Sequence, residues 1–494
     1  MKLTPALQNT STMKILKFGG KSLANGKSLK QSIDILIKAS QKGSIGVVVS
    51  ARGSDTDKLI ELAHLAKKGE PFKDKLVAFF DYHKEDIKQI NFDLEYYHLY
   101  ESLKAIQALR ILNQDILDGI LAYGELISSK CISHLLRLKN IPAIAVDSRE
   151  LLLVERKEDI TRVDLKRSEQ RTIDFFSSFD KKTIPIITGY IATTADGKTI
   201  TLGRNGSNYS ATLIANFLNA EEVQNWTNVD GFYTADPRIV ETAQPISHLS
   251  YKEANEQAQF GANIIHPKTI LPLIEKEIPL TIKNSFASDK AGTTIQKERK
   301  GKGIKAVNVI DNVALISIEG KGMLDQVGID ARIFSALGQK NISVKLISQA
   351  SSEVSIGFVV DKEDAEQAVE ILKETFSPEI ERRDISEITT NYDIAVIAIT
   401  GRHNYSLEKA ISGLRHNKIW LHLITNSING EHISLVVDNS NVKKAVNVVH
   451  NQVFGALKTL HVFALGKGVV GKTFIQQLLT CLLYTSPSPR DRSL

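Results

Sequence analysis

Short apolar runs alternate along the first part of the chain with stretches whose apolar residues recur at helical spacing. Met13 to Phe18, Ile45 to Ser50, Ile141 to Val146, Ile184 to Ile191 and Leu280 to Lys283 read as strands. Leu29 to Ala39, Lys58 to Lys67 and Gly124 to Leu138 read as helices between them. Strands that are apolar throughout, separated by helices, predict an α/β domain over 13–295 with a mostly parallel, buried sheet. The more polar helical stretches of 72–110 read as an inserted, lid-like pair. Residues 290–305, charged and glycine-bearing, read as a linker.

Beyond that point the pattern repeats itself. Asn341 to Ser348 matches Lys418 to Thr425, and at the same offset Leu337 corresponds to Leu414 and Asp361 to Asp438. Each unit reads strand, helix, strand, strand, helix, the order of a ferredoxin-like module. The units are expected over 306–380 and 388–455. One such module leaves a sheet edge open, so the two are expected to pair. Residues 459–480 then bring a strand-like run into Gly466-Lys-Gly468-Val-Val-Gly471, a dinucleotide-binding fingerprint in the setting it requires. The composition changes abruptly at 481–494, which reads as a foreign read-through tail and is set aside.

Composition narrows the function classes. With 494 residues, 42% hydrophobic and 24% charged, the chain is expected to form more than one globular domain. Its net charge of +6 is spread among acids rather than gathered in a basic block, which argues against nucleic-acid binding. Two cysteines, Cys131 and Cys481, are too few for a disulfide framework or a structural zinc site. No apolar run reaches the ~18 residues that span a bilayer. Met1 to Met13 has no apolar core of the secretory kind, so a cytoplasmic protein is expected, with Met13 a candidate start.

Three segments carry chemistry. Lys17-Phe18-Gly19-Gly20 ends the first strand, where glycines admit a phosphate and the lysine offsets its charge. The plain alternative is an ordinary glycine turn with a solvated lysine. Gly203-Arg204-Asn205-Gly206-Ser207 lies between a strand and a helix, and its arginine has the fork that grips a carboxylate. Trp226 to Arg238 follows, with Thr227, Asn228, Asp230, Tyr233 and Arg238 polar enough to hold a nucleotide, although Asp230-Gly231 and Asp236-Pro237 also suit plain turns. Between these, Ser50 to Thr56 is a polar turn in which Thr56 or Asp57 is alternatively an N-cap. Tyr123-Gly124-Glu125 reads as a helix start, where Glu125 either meets a substrate ammonium or only favours the helix dipole. His266 reads as a cap. No metal site is expected from ligand spacing.

Together these segments resemble the aspartokinase family from Lys14 to about Asn451. Lys17-Phe-Gly-Gly20 is similar to the family's opening nucleotide motif, Leu202 to Ser207 to its aspartate loop and Trp226 to Arg238 to its ATP loop. Phe260-Gly-Ala-Asn-Ile-Ile-His-Pro267 is similar to the segment that closes over the nucleotide. The resemblance implies a three-layer αβα amino-acid-kinase fold, tandem ACT domains sensing an end-product amino acid, and a Rossmann fragment that begins a homoserine dehydrogenase. It implies ATP contacts at Lys17, Phe18, Gly19, Gly20, Thr227, Asn228, Asp230, Tyr233, Arg238, Asn263 and Ile264. Aspartate would meet Ser50, Thr56, Glu125, Arg204, Asn205, Gly206 and Ser207, with Lys17 and Arg204 as the catalytic pair. The effector would meet Gln349 and its repeat counterpart Asn426.

The family's chemistry uses ATP with Mg²⁺, a threonine or lysine effector, and homo-oligomers built through the ACT domains. Lys21, Asn208 and Asn263 depart from the family pattern, Asn263 standing where a lysine often reaches ATP and Lys268 being the nearby substitute. An aspartate side chain, with an unperturbed pKa of about 3.9, is ionised at neutral pH and needs no general base, in keeping with the lack of an evident catalytic histidine or Cys/His pair. The competing readings are a glutamate or N-acetylglutamate kinase of the same fold and an inactive sensor that keeps only the ACT pair.

Overall fold

The computed structural model describes residues 13–87, 89–157, 160–180, 182–262, 264–298, 303–323, 326–349, 354–401, 406–455 and 468–485. Its largest element is an eight-stranded sheet in the order His248–Ser250, Thr293–Gln296, Leu280–Asn284, Glu222–Thr227, Lys14–Phe18, Ile45–Val49, Ile184–Thr188, Ala143–Val146. Every neighbouring pair is parallel except Leu280–Asn284 with Thr293–Gln296. Ile45–Val49 and Ile184–Thr188 are buried along their whole length, as apolar strands covered on both faces must be.

Alternation along the first strand divides the interior into two cores. Leu16 and Phe18 pack with the helices Lys27–Ser40, Asp55–Lys68 and Gln114–Leu138, whereas Ile15 packs with Gly206–Phe217 and Pro267–Glu275 on the other face. The domain is therefore helix, sheet, helix in three layers, as the family resemblance implied.

Three local expectations are corrected. Residues 290–305 are not simply a linker, because Thr293–Gln296 is a strand of the main sheet with Ile295 fully buried. The helix holding Glu125 starts at Gln114, well before Gly124. The polar stretch of 72–110 does form two helices, Lys73–Glu85 and Asp93–Leu109, but they are not lid-like. Phe79, Phe80, Leu99, Leu103 and Ile106 are at most 3% exposed. Uncovering each such side chain would cost about 1.5–3 kcal/mol, so the pair is fixed in the core.

The repeat folds into one antiparallel six-stranded sheet in the order Val344–Gln349, Ser355–Asp361, Ile304–Glu319, Glu387–Gly401, His432–Asp438, Leu423–Asn426. The two units pair through the long strands Ile304–Glu319 and Glu387–Gly401, which run from one unit into the other. Pairing hides the inner edges, as expected for modules with open edges. The second unit also covers part of the first domain. Ala235 and Val240, from the loop after Glu222–Thr227, are buried in a core with Val307, Ile397 and Val446.

The described residues after Phe454 belong to a unit separate from the rest of the chain. Among its described residues Gly468 precedes a helix, Val469–Thr485, which contains Gly471 and continues past 480. The expected strand at 461–465 and Gly466 lie outside the described residues.

Candidate active site

The site grows from the carboxyl ends of three parallel strands. Phe18 is level with Val49, and Val49 with Thr188, so the turns after them leave one edge of the sheet together. That edge is where open α/β sheets hold ligands. The helix Gly206–Phe217 begins against it. Its approach requires glycine at 189, since a Cβ there would stand 2.6 Å from that of Ser207. Gly20 answers a similar need, as its Cβ would come within 2.7 Å of the Ala51 carbonyl oxygen.

These turns enclose a cavity of about 430 Å³ lined by Lys17, Gly20, Ser50, Thr56, Glu125, Arg204 to Ser207 and neighbouring backbone. Lys17 Nζ lies 3.6 Å from the position a Gly19 Cβ would take, so the lysine folds over the glycine turn. Arg204, on the exposed turn, pairs with no carboxylate among the described residues. Asn205, in the left-handed region at φ 58°, turns the chain into the helix. Among the described residues no acceptor meets the N–H groups of Ser207 and Asn208, which belong to its first turn and line the cavity, an arrangement that favours an anion.

Glu125 reaches the cavity from the middle of its helix. Its Oε1 accepts the Ala51 N–H at 3.0 Å, and its Oε2 is buried without a hydrogen-bond partner. Burial pushes the Glu125 carboxyl up to about 8, against the pull of the Ala51 amide and of Lys17. Burial likewise lowers Lys17 to about 8, with Glu125 acting the other way. Desolvation thus makes both groups titrate close to neutral pH, where a charged ligand can shift them.

The structure places the expected nucleotide residues beside this cavity less uniformly. Phe18 is in the core, its ring stacked on Trp226 with centroids 6.0 Å apart and planes 5° apart. The Gly19 N–H is already bonded to the Trp226 carbonyl at 3.1 Å. The Thr227 carbonyl accepts from the Ser285 N–H at 2.8 Å, tying the ends of adjacent strands together, and Asn228 is exposed next to it. Asp230 accepts from Asn284 and Lys290 at 2.6 Å each and from Tyr233 at 3.1 Å. The Arg238 guanidinium is exposed and forks onto Asp236. Ile264 packs against the second core, and Asn263 lies outside the described residues.

Several plain alternatives are also decided. Thr56 is the second residue of Asp55–Lys68 rather than its cap, and Glu125 is no first-turn residue. His266 caps Pro267–Glu275, its Nδ1 accepting the Lys268 N–H at 3.2 Å. Gln349 and Asn426 end the two outer strands of the six-stranded sheet at equivalent, exposed positions. Tyr190 lines the cavity without having been singled out, and Asn208, noted above only as a departure from the family pattern, lines it too. The only sequence signal for Tyr190 was its place after Gly189, where it adopts a left-handed φ of 68°. Among the described residues no group of three or more His, Cys, Asp or Glu is placed to hold a metal ion, and no helix is long and apolar enough to cross a membrane.

Comparison with known proteins agrees with this architecture. The model of the amino acid kinase family matches residues 12–284, more than half of the chain, and an ACT domain model matches 316–376. A bifunctional aspartokinase/homoserine dehydrogenase of Buchnera aphidicola subsp. Acyrthosiphon pisum is 31% identical over 94% of this chain and 60% of its own length. One of Haemophilus influenzae is 30% identical over 94% of this chain and 59% of its own. The chain thus spans about three fifths of these relatives. The crystal structure of E. coli aspartokinase III in complex with aspartate and ADP has the same fold, with a TM-score of 0.74 at 24% identity, covering 90% of this chain and 100% of that one. With its sheet order, its cavity and this match in agreement, the chain belongs to the amino acid kinase family.

Proposed function

We propose that this chain is an aspartate kinase, transferring the γ-phosphoryl group of ATP to the side-chain carboxylate of L-aspartate to give 4-phospho-L-aspartate and ADP. The product is the first intermediate toward lysine, threonine and methionine. One observation carries the reading: Lys17, Glu125, Arg204 and the start of the helix Gly206–Phe217 share a single cavity. A forked cation, a buried carboxyl and unpaired helix amides suit the carboxylate, ammonium and phosphoryl groups of the two substrates. The names of the relatives support the same reading.

In this proposal a carboxylate oxygen of aspartate attacks the γ-phosphorus as its bond to the ADP oxygen breaks, and no proton is transferred. Arg204 and the Ser207 amide hold the substrate carboxylate, and Glu125 meets the ammonium. Lys17 neutralises the moving phosphoryl group, so rate comes from alignment and charge. Mg²⁺ bound to the ATP phosphates would spread their charge further. Asp230, the acid of the nucleotide loop, is occupied by Lys290, Asn284 and Tyr233, so the ion is proposed to be held chiefly by the phosphates. Thr227, Asn228, Tyr233, Arg238 and Ile264 are proposed to line the nucleotide's path.

Feedback is proposed to act through the ACT pair, with threonine as effector at Gln349 and Asn426, in a cytoplasmic homo-oligomer joined through these domains. A panel of L-aspartate, L-glutamate and N-acetyl-L-glutamate, assayed with ATP for ADP release, tests the substrate. Aspartate is expected to be turned over at least tenfold faster than the others, a difference of about 1.4 kcal/mol. Preference for glutamate or its acetyl derivative would reject the assignment. Adding threonine, lysine or methionine to the same assay identifies the effector, and inhibition by lysine alone would replace threonine.

A further inference from the structure

The turn that lines the cavity has a second, hidden side. Ser50, Ala51, Gly53 and Thr56 face the cavity, whereas Arg52 and Asp55 between them have no exposed surface. A fully buried arginine needs its donors satisfied and its charge balanced nearby. Arg52 Nε donates to the Leu23 carbonyl at 3.0 Å, Nη2 to Asn25 Oδ1, and Nη1 to His83 Nδ1 at 2.9 Å. Cys131 Sγ lies 3.8 Å from the same Nη1. Among the described residues no carboxylate pairs with the guanidinium directly; Asp55 stands behind His83, whose Nε2 is 3.2 Å from Asp55 Oδ2.

His83 has no exposed surface and comes from the helix Lys73–Glu85, outside the segments that line the cavity. Its protonation state follows from its neighbours. A guanidinium can only donate, so Nδ1 must accept and the ring proton sits on Nε2, facing Asp55. That approach is short but not well aligned as a hydrogen bond, so the Nε2–H meets the carboxylate mainly as a dipole facing a charge. An imidazolium would set an N–H against the guanidinium. Burial, Arg52 and Lys58 lower the His83 pKa, while Asp55 works against them. Lys58 Nζ also lies 3.5 Å from Asp55 Oδ1, and the aromatic rings of Phe79, Tyr82 and Phe92 surround the imidazole.

The residue beside His83 reinforces this grip. Tyr82 Oη would stand 2.9 Å from a Cβ on Gly53 and accepts the Asn25 N–H at 3.2 Å, and Lys58 Nζ sits 3.9 Å over its ring. The turn 50–56 is therefore clasped from behind by one helix turn of a segment anchored in the core.

We propose that His83, as the neutral Nε2–H tautomer bridging Arg52 and Asp55, is the positioning residue that sets the substrate-facing turn Ser50–Thr56 for aspartate. The inference rests on the aspartate kinase reading above. It explains why a polar relay occupies a site that hydrophobic side chains of similar volume would fill without a desolvation penalty.

The test is steady-state kinetics of the full chain with separate variation of aspartate and ATP, for wild type, His83→Asn and His83→Leu. His83→Leu should raise the aspartate KM by about tenfold or more, with the ATP KM within about twofold and kcat changed less than the aspartate KM. His83→Asn, whose side-chain oxygen can still accept from Arg52, should recover part of the loss. An aspartate KM within about twofold of wild type, or both KM values rising together, would overturn the inference. Wild type inactive on aspartate would instead overturn the function itself, and this inference with it. Should the variants fail to fold, ¹⁵N-histidine NMR of the wild-type chain at pH 7 decides the matter. A neutral His83 protonated on Nε2 and perturbed by added aspartate is expected; an Nδ1–H form, an imidazolium or no response to aspartate rejects it.

Discussion

Lys17 and Glu125 line the same cavity, yet no ion pair joins them. Each is close enough to shift the other's titration, but each is left to burial as the dominant influence. A buried cation without a direct partner is most favourably completed by an arriving anion. Lys17→Ala should therefore lower kcat by about 10²–10³-fold, the effect of removing one preorganised charge from a transition state, while the aspartate KM changes little. Steady-state kinetics read both quantities, and unchanged turnover would remove Lys17 from the phosphoryl-transfer step.

Glu125 should make stability fall as pH rises. Its carboxyl titrates near 4.5 in the unfolded chain and is pushed up to about 8 in the fold by burial. Between those values the native state holds a proton that the unfolded state has released. The stabilising contribution is complete below about pH 4.5 and disappears progressively toward pH 8. Glu125→Gln, which cannot ionise, should gain stability over wild type on going from pH 5 to pH 8 in urea unfolding. A difference that stays constant across that range would show that Glu125 is not a raised, buried acid.

Arg204 has no carboxylate partner among the described residues and stands at the cavity rim. Arg204→Lys keeps the charge but loses the two parallel N–H donors. The loss of one bidentate contact should raise the aspartate KM by about 10- to 100-fold and leave the ATP KM nearly unchanged. If lysine serves as well as arginine, the substrate carboxylate is held elsewhere.

The route from the regulatory pair to the catalytic domain should pass through the loop after Glu222–Thr227. Thr234 Oγ1 meets His450 Nε2 at 2.9 Å, and Asn447 Nδ2 donates to the Ile239 carbonyl at 2.9 Å. Asn447 belongs to the helix Val442–Phe454 and is remote from the cavity lining. Asn447→Ala should leave uninhibited turnover near wild type and weaken effector inhibition by about fivefold, the lower end of typical coupling energies. Inhibition curves that superimpose would place the coupling on other contacts.

Much of this was legible in the residue order because strong local signals coincide with strands and turns. The fully apolar runs at 45–49 and 184–188 became central strands, and the internal repeat became two paired modules. Lys17 near the end of its strand and Gly20 and Arg204 in the turns belong to segments whose composition already suggested an anion site, and the fold brings them into one cavity. What failed was local context. Thr293–Gln296 is short, polar on one face and flanked by charges, so nothing in its own pattern distinguishes a strand from a linker; pairing with Leu280–Asn284 and His248–Ser250 supplies its hydrogen bonds. Glu125 was misplaced on its helix because Gly124 was read as a helix start, although Ile116, Leu117, Ile120 and Leu121 already carry the helical spacing before it.

The order of residues by itself determined the succession of strands and helices, the repeat, and the identity of the turn residues, since these follow from periodicity and from what glycine, arginine and lysine can do within a few positions. Only the tertiary structure decided which turns share a cavity, that Asp230 and Arg238 are occupied by neighbours, and that His83 stands between Arg52 and Asp55. The reason is geometric: parallel strands bring together turns separated by long crossovers. Burial, which sets the charges of Lys17, Glu125 and His83, belongs to the assembled layers rather than to any single segment.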